Sequence, residues 1–207
     1  MPPKNKFTKE QVVEAAVCVV RKNGIDGLTA KTLAGELGTS TQPIFSYFDT
    51  MNPLKKEVQK SAERLYDKYS ADGLKESVPF FGLGMQYIRF AKNEPELYRL
   101  LFLSRSADEN WGATAVMNRS QVAARPSLMS IYKISAEKAD RYFRDLWLVV
   151  HSLATLIVTE CCPYSEGEIA QILTGFSVAV CKAIKEIPDF VSGAFDRDEV
   201  FKGIIGE

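Results

Sequence analysis

Six residues of the stretch "STQPIFSYF", Ser40 to Phe48, carry side chains suited to chemistry at a groove. They are Ser40, Thr41, Gln42, Pro43, Ser46 and Tyr47. A glutamine can pair two hydrogen bonds with an adenine edge. Serine and threonine hydroxyls can meet base or phosphate oxygens, and a proline offers an apolar surface to a thymine methyl. Lys31 and the Tyr47 hydroxyl are placed to reach phosphates, contacts that position a protein on a duplex without selecting its sequence. The set is chemically fit for binding double-stranded DNA. It is poor in catalytic parts: the sequence shows no nucleophile–base arrangement, no H-E-x-x-H helix and no glycine-rich phosphate loop.

Such a set needs elements to hold it. Thr8 and Gln11 have the spacing of a capping box, and Val12, Ala15, Ala16, Val19 and Val20 then form one apolar helical stripe. Asn23–Gly24 ends that helix. Thr29 starts a second, "AKTLAGEL", with Leu33 and Leu37 on one face and Gly38 as its stop. Ser40 is the expected N-cap of a third, in which Thr41, Gln42 and Pro43 take the first three positions and Ile44 and Phe48 turn inward. The spacing places Gln42, Ser46 and Tyr47 on an outward face. Three short helices with a glycine turn before an exposed polar third helix match a helix-turn-helix, whose last helix enters the major groove. Residues 1–60 carry nine Lys/Arg against six acids, a net of +3; the chain totals zero, so the remainder carries −3. A basic first third points mildly to a polyanionic partner there.

The other 150 or so residues also read as helix throughout, with no alternating strand pattern. Asn52 is the expected cap of a linking helix over 52–70, with Pro53 at its first position. A joint follows at 70–77, around Gly73. Pro126 lies inside a helical segment and is expected to kink or split it. Two long helices, about 136–160 and 165–187, mix Ala154, Gly175 and Ala179 with Leu, Ile and Val. In the second, Ile169, Ile172, Leu173, Phe176, Val180 and Ile184 make a long apolar stripe. Pairing these helices with a second copy would form a four-helix homodimer interface and present two recognition helices to a palindromic operator. Tyr87, Phe90, Phe102, Trp111, Trp147 and the single histidine, His151, could line an apolar effector pocket, although ordinary core packing competes for each aromatic.

Four cysteines, Cys18, Cys161, Cys162 and Cys181, form no C-x-x-C pair, so neither a structural disulfide nor a metal site is expected, and no cofactor. The first ten residues lack the apolar core of a secretory leader. The longest apolar run, Leu146–Val158, is too short to span a bilayer. A cytoplasmic protein with no membrane partner is expected.

Phe7–Leu54 resembles the DNA-binding region of TetR/AcrR family transcriptional regulators. The resemblance rests on the ordered run of a helix, "NG", Leu28–Thr29, "LAGELG", "IFSYF" and a further helix after "TMNPL". It implies an all-α fold. Residues 1–54 would be a helix-turn-helix DNA-binding domain and 55–207 an all-helical effector-binding and dimerisation domain. It also implies a dimeric, sequence-specific transcriptional regulator, a repressor released by a small molecule, and not an enzyme. By the resemblance, Lys31 touches phosphate, Thr41, Gln42 and Pro43 read bases, and Tyr47 contacts backbone or base. Two positions depart from the pattern: Phe45 stands where Tyr is frequent, and Met51 where Lys is frequent, with Lys55 or Lys56 one turn later. The competing classes are an all-α enzyme and a helical protein-binding adaptor, each with a hydrophobic cavity. The basic start and the polar third helix argue against an adaptor.

Overall fold

The computed structural model describes residues 7–104 and 112–206. These are helical throughout, with no strand among them. The helices are α1 (Lys9–Asn23), α2 (Ala30–Leu37), α3 (Gln42–Phe45), α4 (Met51–Gly73), α5 (Pro79–Asn93), α6 (Pro95–Tyr98), α7 (Ala113–Tyr132), α8 (Ala136–Val158), α9 (Glu166–Glu186) and α10 (Arg197–Ile205). A π-helical turn, Arg99–Leu103, continues α6. The chain divides into two compact units: Met1–Tyr69 with Arg89–Val116, and Ser70–Ile88 with Met117–Glu207.

In the first unit, α1 opens with the expected capping box: the Gln11 N–H donates to Thr8 Oγ1 and the Thr8 N–H to Gln11 Oε1. Each side chain satisfies one of the N–H groups that a helix start leaves without an intrahelical acceptor. Val12, Ala16, Val19 and Val20 are buried and Ala15 is half-buried. α2 opens with a second reciprocal box, Thr29 with Thr32, and closes at Gly38, whose φ of 61° and ψ of 40° are left-handed. Leu33 is buried beneath it and Leu37 is half-buried. On α4, Leu54, Val58, Ala62 and Tyr66 recur every fourth residue and are all buried. Arg21 of α1 donates two hydrogen bonds, each 2.7 Å, to the Glu94 carboxylate just before α6. The aromatic rings of Tyr66, Phe90 and Phe102 meet edge to face, with centroids 5.3–6.4 Å apart.

Several local expectations are corrected. α3 begins at Gln42 after Thr41, not after Ser40; Thr41 has helical angles and makes no side-chain cap. A capping oxygen reaches the first-turn N–H groups from an extended residue, and Thr41 is not extended. α4 begins at Met51, so Asn52 lies within it and Pro53 is its third residue. First-turn N–H groups have no intrahelical acceptor, so proline costs little there. α7 runs unbroken through Pro126 rather than splitting.

In the second unit, α8 packs along α9. Tyr142, Phe143, Leu146, Trp147, Val150, Leu153 and Ala154 of α8 are buried, as are Ile169, Leu173 and Ile184 of α9. Phe176, on the same apolar stripe of α9, is 48% exposed. Gly73 and Gly82 pack backbone to backbone: a Cβ on Gly82 would stand 2.3 Å from the Gly73 carbonyl oxygen. The Tyr142 hydroxyl, bonded to those of Tyr132 and Ser177, is buried, which pushes its ionisation well above the usual phenol range.

Candidate nucleic-acid interface

The turn after α2 sets the direction of α3. Gly38 takes the left-handed conformation that only glycine adopts without strain, and the Thr39 N–H donates back to the Ala34 carbonyl. Three residues after Thr39 the chain enters α3. Ile44 is wholly buried and Phe48 nearly so. These two side chains fix the helix to the first unit, and helical-type hydrogen bonds persist through Phe48 N–H to Ile44 O at 3.1 Å. A helix this short is not stable alone, so this anchorage holds its shape.

With Ile44 and Phe48 inward, Ser40, Thr41, Gln42 and Ser46 are exposed and Pro43 is half-buried. Lys31, second residue of α2, is exposed. Lys55 is half-buried and Lys56 exposed on α4. The Ser46 hydroxyl donates to the Pro43 carbonyl at 2.7 Å, which leaves its oxygen as an acceptor. Tyr47 lies elsewhere than on the exposed face: it is half-buried, and its hydroxyl donates to the Phe7 carbonyl at 2.7 Å. The Lys9 ammonium sits over the Phe48 ring, 5.3 Å from its centre. Phe45 is 46% exposed beside Gln42 and Ser46.

The six residues considered for an effector pocket are distributed as follows. Phe90 and Phe102 belong to the aromatic core of the first unit, with Tyr66. Tyr87, Trp147 and His151 lie together in the second unit. The Trp147 and His151 rings stack at 4.7 Å, and the Tyr87 hydroxyl is 2.9 Å from His151 Nδ1. Burial lowers the His151 pKa below its ordinary value. The Trp147 indole N–H is buried with no hydrogen-bond partner. Trp111 lies outside the described residues. A groove of about 570 Å³ in the second unit has a different lining, including Val78, Phe81, Tyr132, Ser177, Cys181 and Lys182. Nothing in the local sequence marks that set, because it gathers the ends of α5 and α7 against one side of α9. Among the described residues no group of three or more His, Cys, Asp or Glu could hold a metal ion.

These features define an all-α protein with a helix-turn-helix near its start. Comparison with known proteins agrees. No family model matches the chain. It is 22% identical over 158 residues, 74% of this chain and 72% of the other, to a protein of Mycobacterium tuberculosis described as an uncharacterized HTH-type transcriptional regulator. A solved structure of a TetR-family member from Streptomyces coelicolor superposes with a TM-score of 0.58 at 20% identity, over 84% of this chain and 98% of that one. The chain thus has the TetR-family fold.

Proposed function

We propose that this chain is a sequence-specific DNA-binding transcriptional regulator that acts as a homodimer. The observation that carries the reading is the tip of α3. Thr41 and Gln42 face solvent while Ile44 of the same short helix and Phe48, three residues past its end, are locked in the core. A core helix has no need of an exposed glutamine at its first position. A base-reading helix does, and a backbone already fixed by its buried neighbours pays less ordering cost on binding. Gln42, Thr41, Pro43 and Ser40 face the base edges, with Ser46 beside them. Lys31 and Lys55 neutralise phosphates, and Tyr47 stands at the edge of the contact.

The homodimer reading is supported by α8 and α9. α9 is long and apolar, yet only 17% of its most apolar window is buried within one copy. Leu148 of α8 and Phe176 and Val178 of α9 are likewise exposed. A second copy laid across the faces of 136–160 and 165–187 would cover them and set two α3 tips on a palindromic operator. Release by a small apolar or aromatic effector completes the scheme. A molecule that binds best to the conformer with wrongly spaced tips lowers operator affinity by population shift. Repression in the cytoplasm follows from that scheme.

The test is a pair of variants on a duplex selected from random sequence. Gln42→Ala should lose about 1–3 kcal/mol at one base pair per half-site and relax preference there. Lys31→Ala should weaken every duplex alike and reduce the salt slope by about one. Unchanged binding by both variants would contradict the reading.

A further inference from the structure

We propose that Phe45 is a sequence-reading residue whose ring packs on a thymine C5-methyl group in the major groove. The proposal rests on the DNA-binding reading above and adds to it a second apolar contact, beyond that of Pro43, from a residue to which that reading gives no role.

Phe45 follows Gln42 by three residues, so the two share a side of α3. It does not serve the core, which takes Ile44 from this helix and Phe48 from just beyond it and leaves Phe45 46% exposed. Single exposed apolar residues are common and carry little meaning by themselves. This one sits within a cluster of exposed hydrogen-bonding side chains, Thr41, Gln42 and Ser46, on a helix held rigid from behind. Position 45 brings no hydroxyl, and the hydroxyl of the tip's other surface aromatic, Tyr47, donates to the Phe7 carbonyl. A ring at position 45 therefore cannot donate to a phosphate, and its contribution to a duplex is apolar. The major groove offers one protruding apolar group, the thymine methyl, and phenylalanine is among the side chains that meet it. Covering that methyl would also dehydrate the neighbouring Gln42–base hydrogen bonds and strengthen them.

The experiment replaces thymines one at a time. The full chain first selects a preferred duplex from a random library. Binding of wild type, Phe45→Ala and Phe45→Leu is then measured on that duplex and on copies in which each thymine is deoxyuridine, which lacks only the methyl. Wild type should lose about fourfold at one thymine in each half-site, the worth of one buried methyl group. Phe45→Ala should show no loss at that thymine, and Phe45→Leu should retain part of it. Neither variant should change the salt slope, since no phosphate contact is removed. If Phe45→Ala keeps every thymine effect, or lowers the salt slope by about one, the role of Phe45 is overturned while the DNA-binding reading stands. If wild type enriches no sequence at all, both fall.

Discussion

At the scale of single residues, the tip of α3 separates exposed polar side chains from bracing ones. Gln42 and Thr41 are exposed, whereas Tyr47 spends its hydroxyl on Phe7, forty positions earlier. That bond ties the turn after α3 to the residue before the α1 N-cap. Tyr47→Phe should therefore cost stability, about 0.5–1.5 kcal/mol for one lost hydrogen bond, and leave the salt slope of DNA binding unchanged. Denaturant unfolding and a salt titration of the same variant check this. A slope reduced by about one with unaltered stability would instead put the hydroxyl on a phosphate. The types of these residues and the inward turn of Ile44 and Phe48 were legible from spacing alone. The partner of Tyr47 was not, because a contact across forty residues leaves no local pattern.

At the scale of elements, capping chemistry decides where helices begin and backbone handedness decides where they stop. Thr8 with Gln11 could be read directly. Thr29 pairs with Thr32, whose hydroxyl is shorter than the usual glutamate or glutamine yet closes the same box at 3.0–3.1 Å. α10 was not anticipated. Its apolar residues Val200, Phe201, Ile204 and Ile205 form a short periodic stripe of which only Val200 is half-buried, and Asp196 caps it with bonds to two N–H groups. The packing of Arg89–Val116 with the N-terminal helices was equally hidden, for Arg21 meets Glu94 across 73 residues. Gly38 offers the sharpest test at this scale. A Cβ there would meet no atom within 4 Å, so any penalty comes from its φ of 61° alone. Gly38→Val should destabilise the chain by about 1–2 kcal/mol, the cost of a left-handed conformation for a residue with a Cβ. Unfolding at the wild-type midpoint would refute this geometry for the turn.

At the scale of the whole molecule, two compact units carry different burdens. The first holds the polar tip. The second holds the long helices and the stacked Trp147–His151 pair. The lowered His151 pKa gives the chain a pH dependence with a definite sign. The unfolded state binds the proton first, so stability is complete above an unfolded pKa of about 6.5 and declines as pH falls below it. Comparing unfolding at pH 7.5 and 5.5, wild type should lose more stability on acidification than His151→Gln, and equal losses would remove His151 from the explanation.

The central claim is that the α3 tip meets duplex DNA, and the salt dependence of binding tests it most directly. Affinity of the intact chain for random-sequence duplex should fall linearly with salt on logarithmic axes, with a slope of several units for a few phosphates neutralised per copy. A flat dependence, or no measurable binding at low salt, would contradict the account.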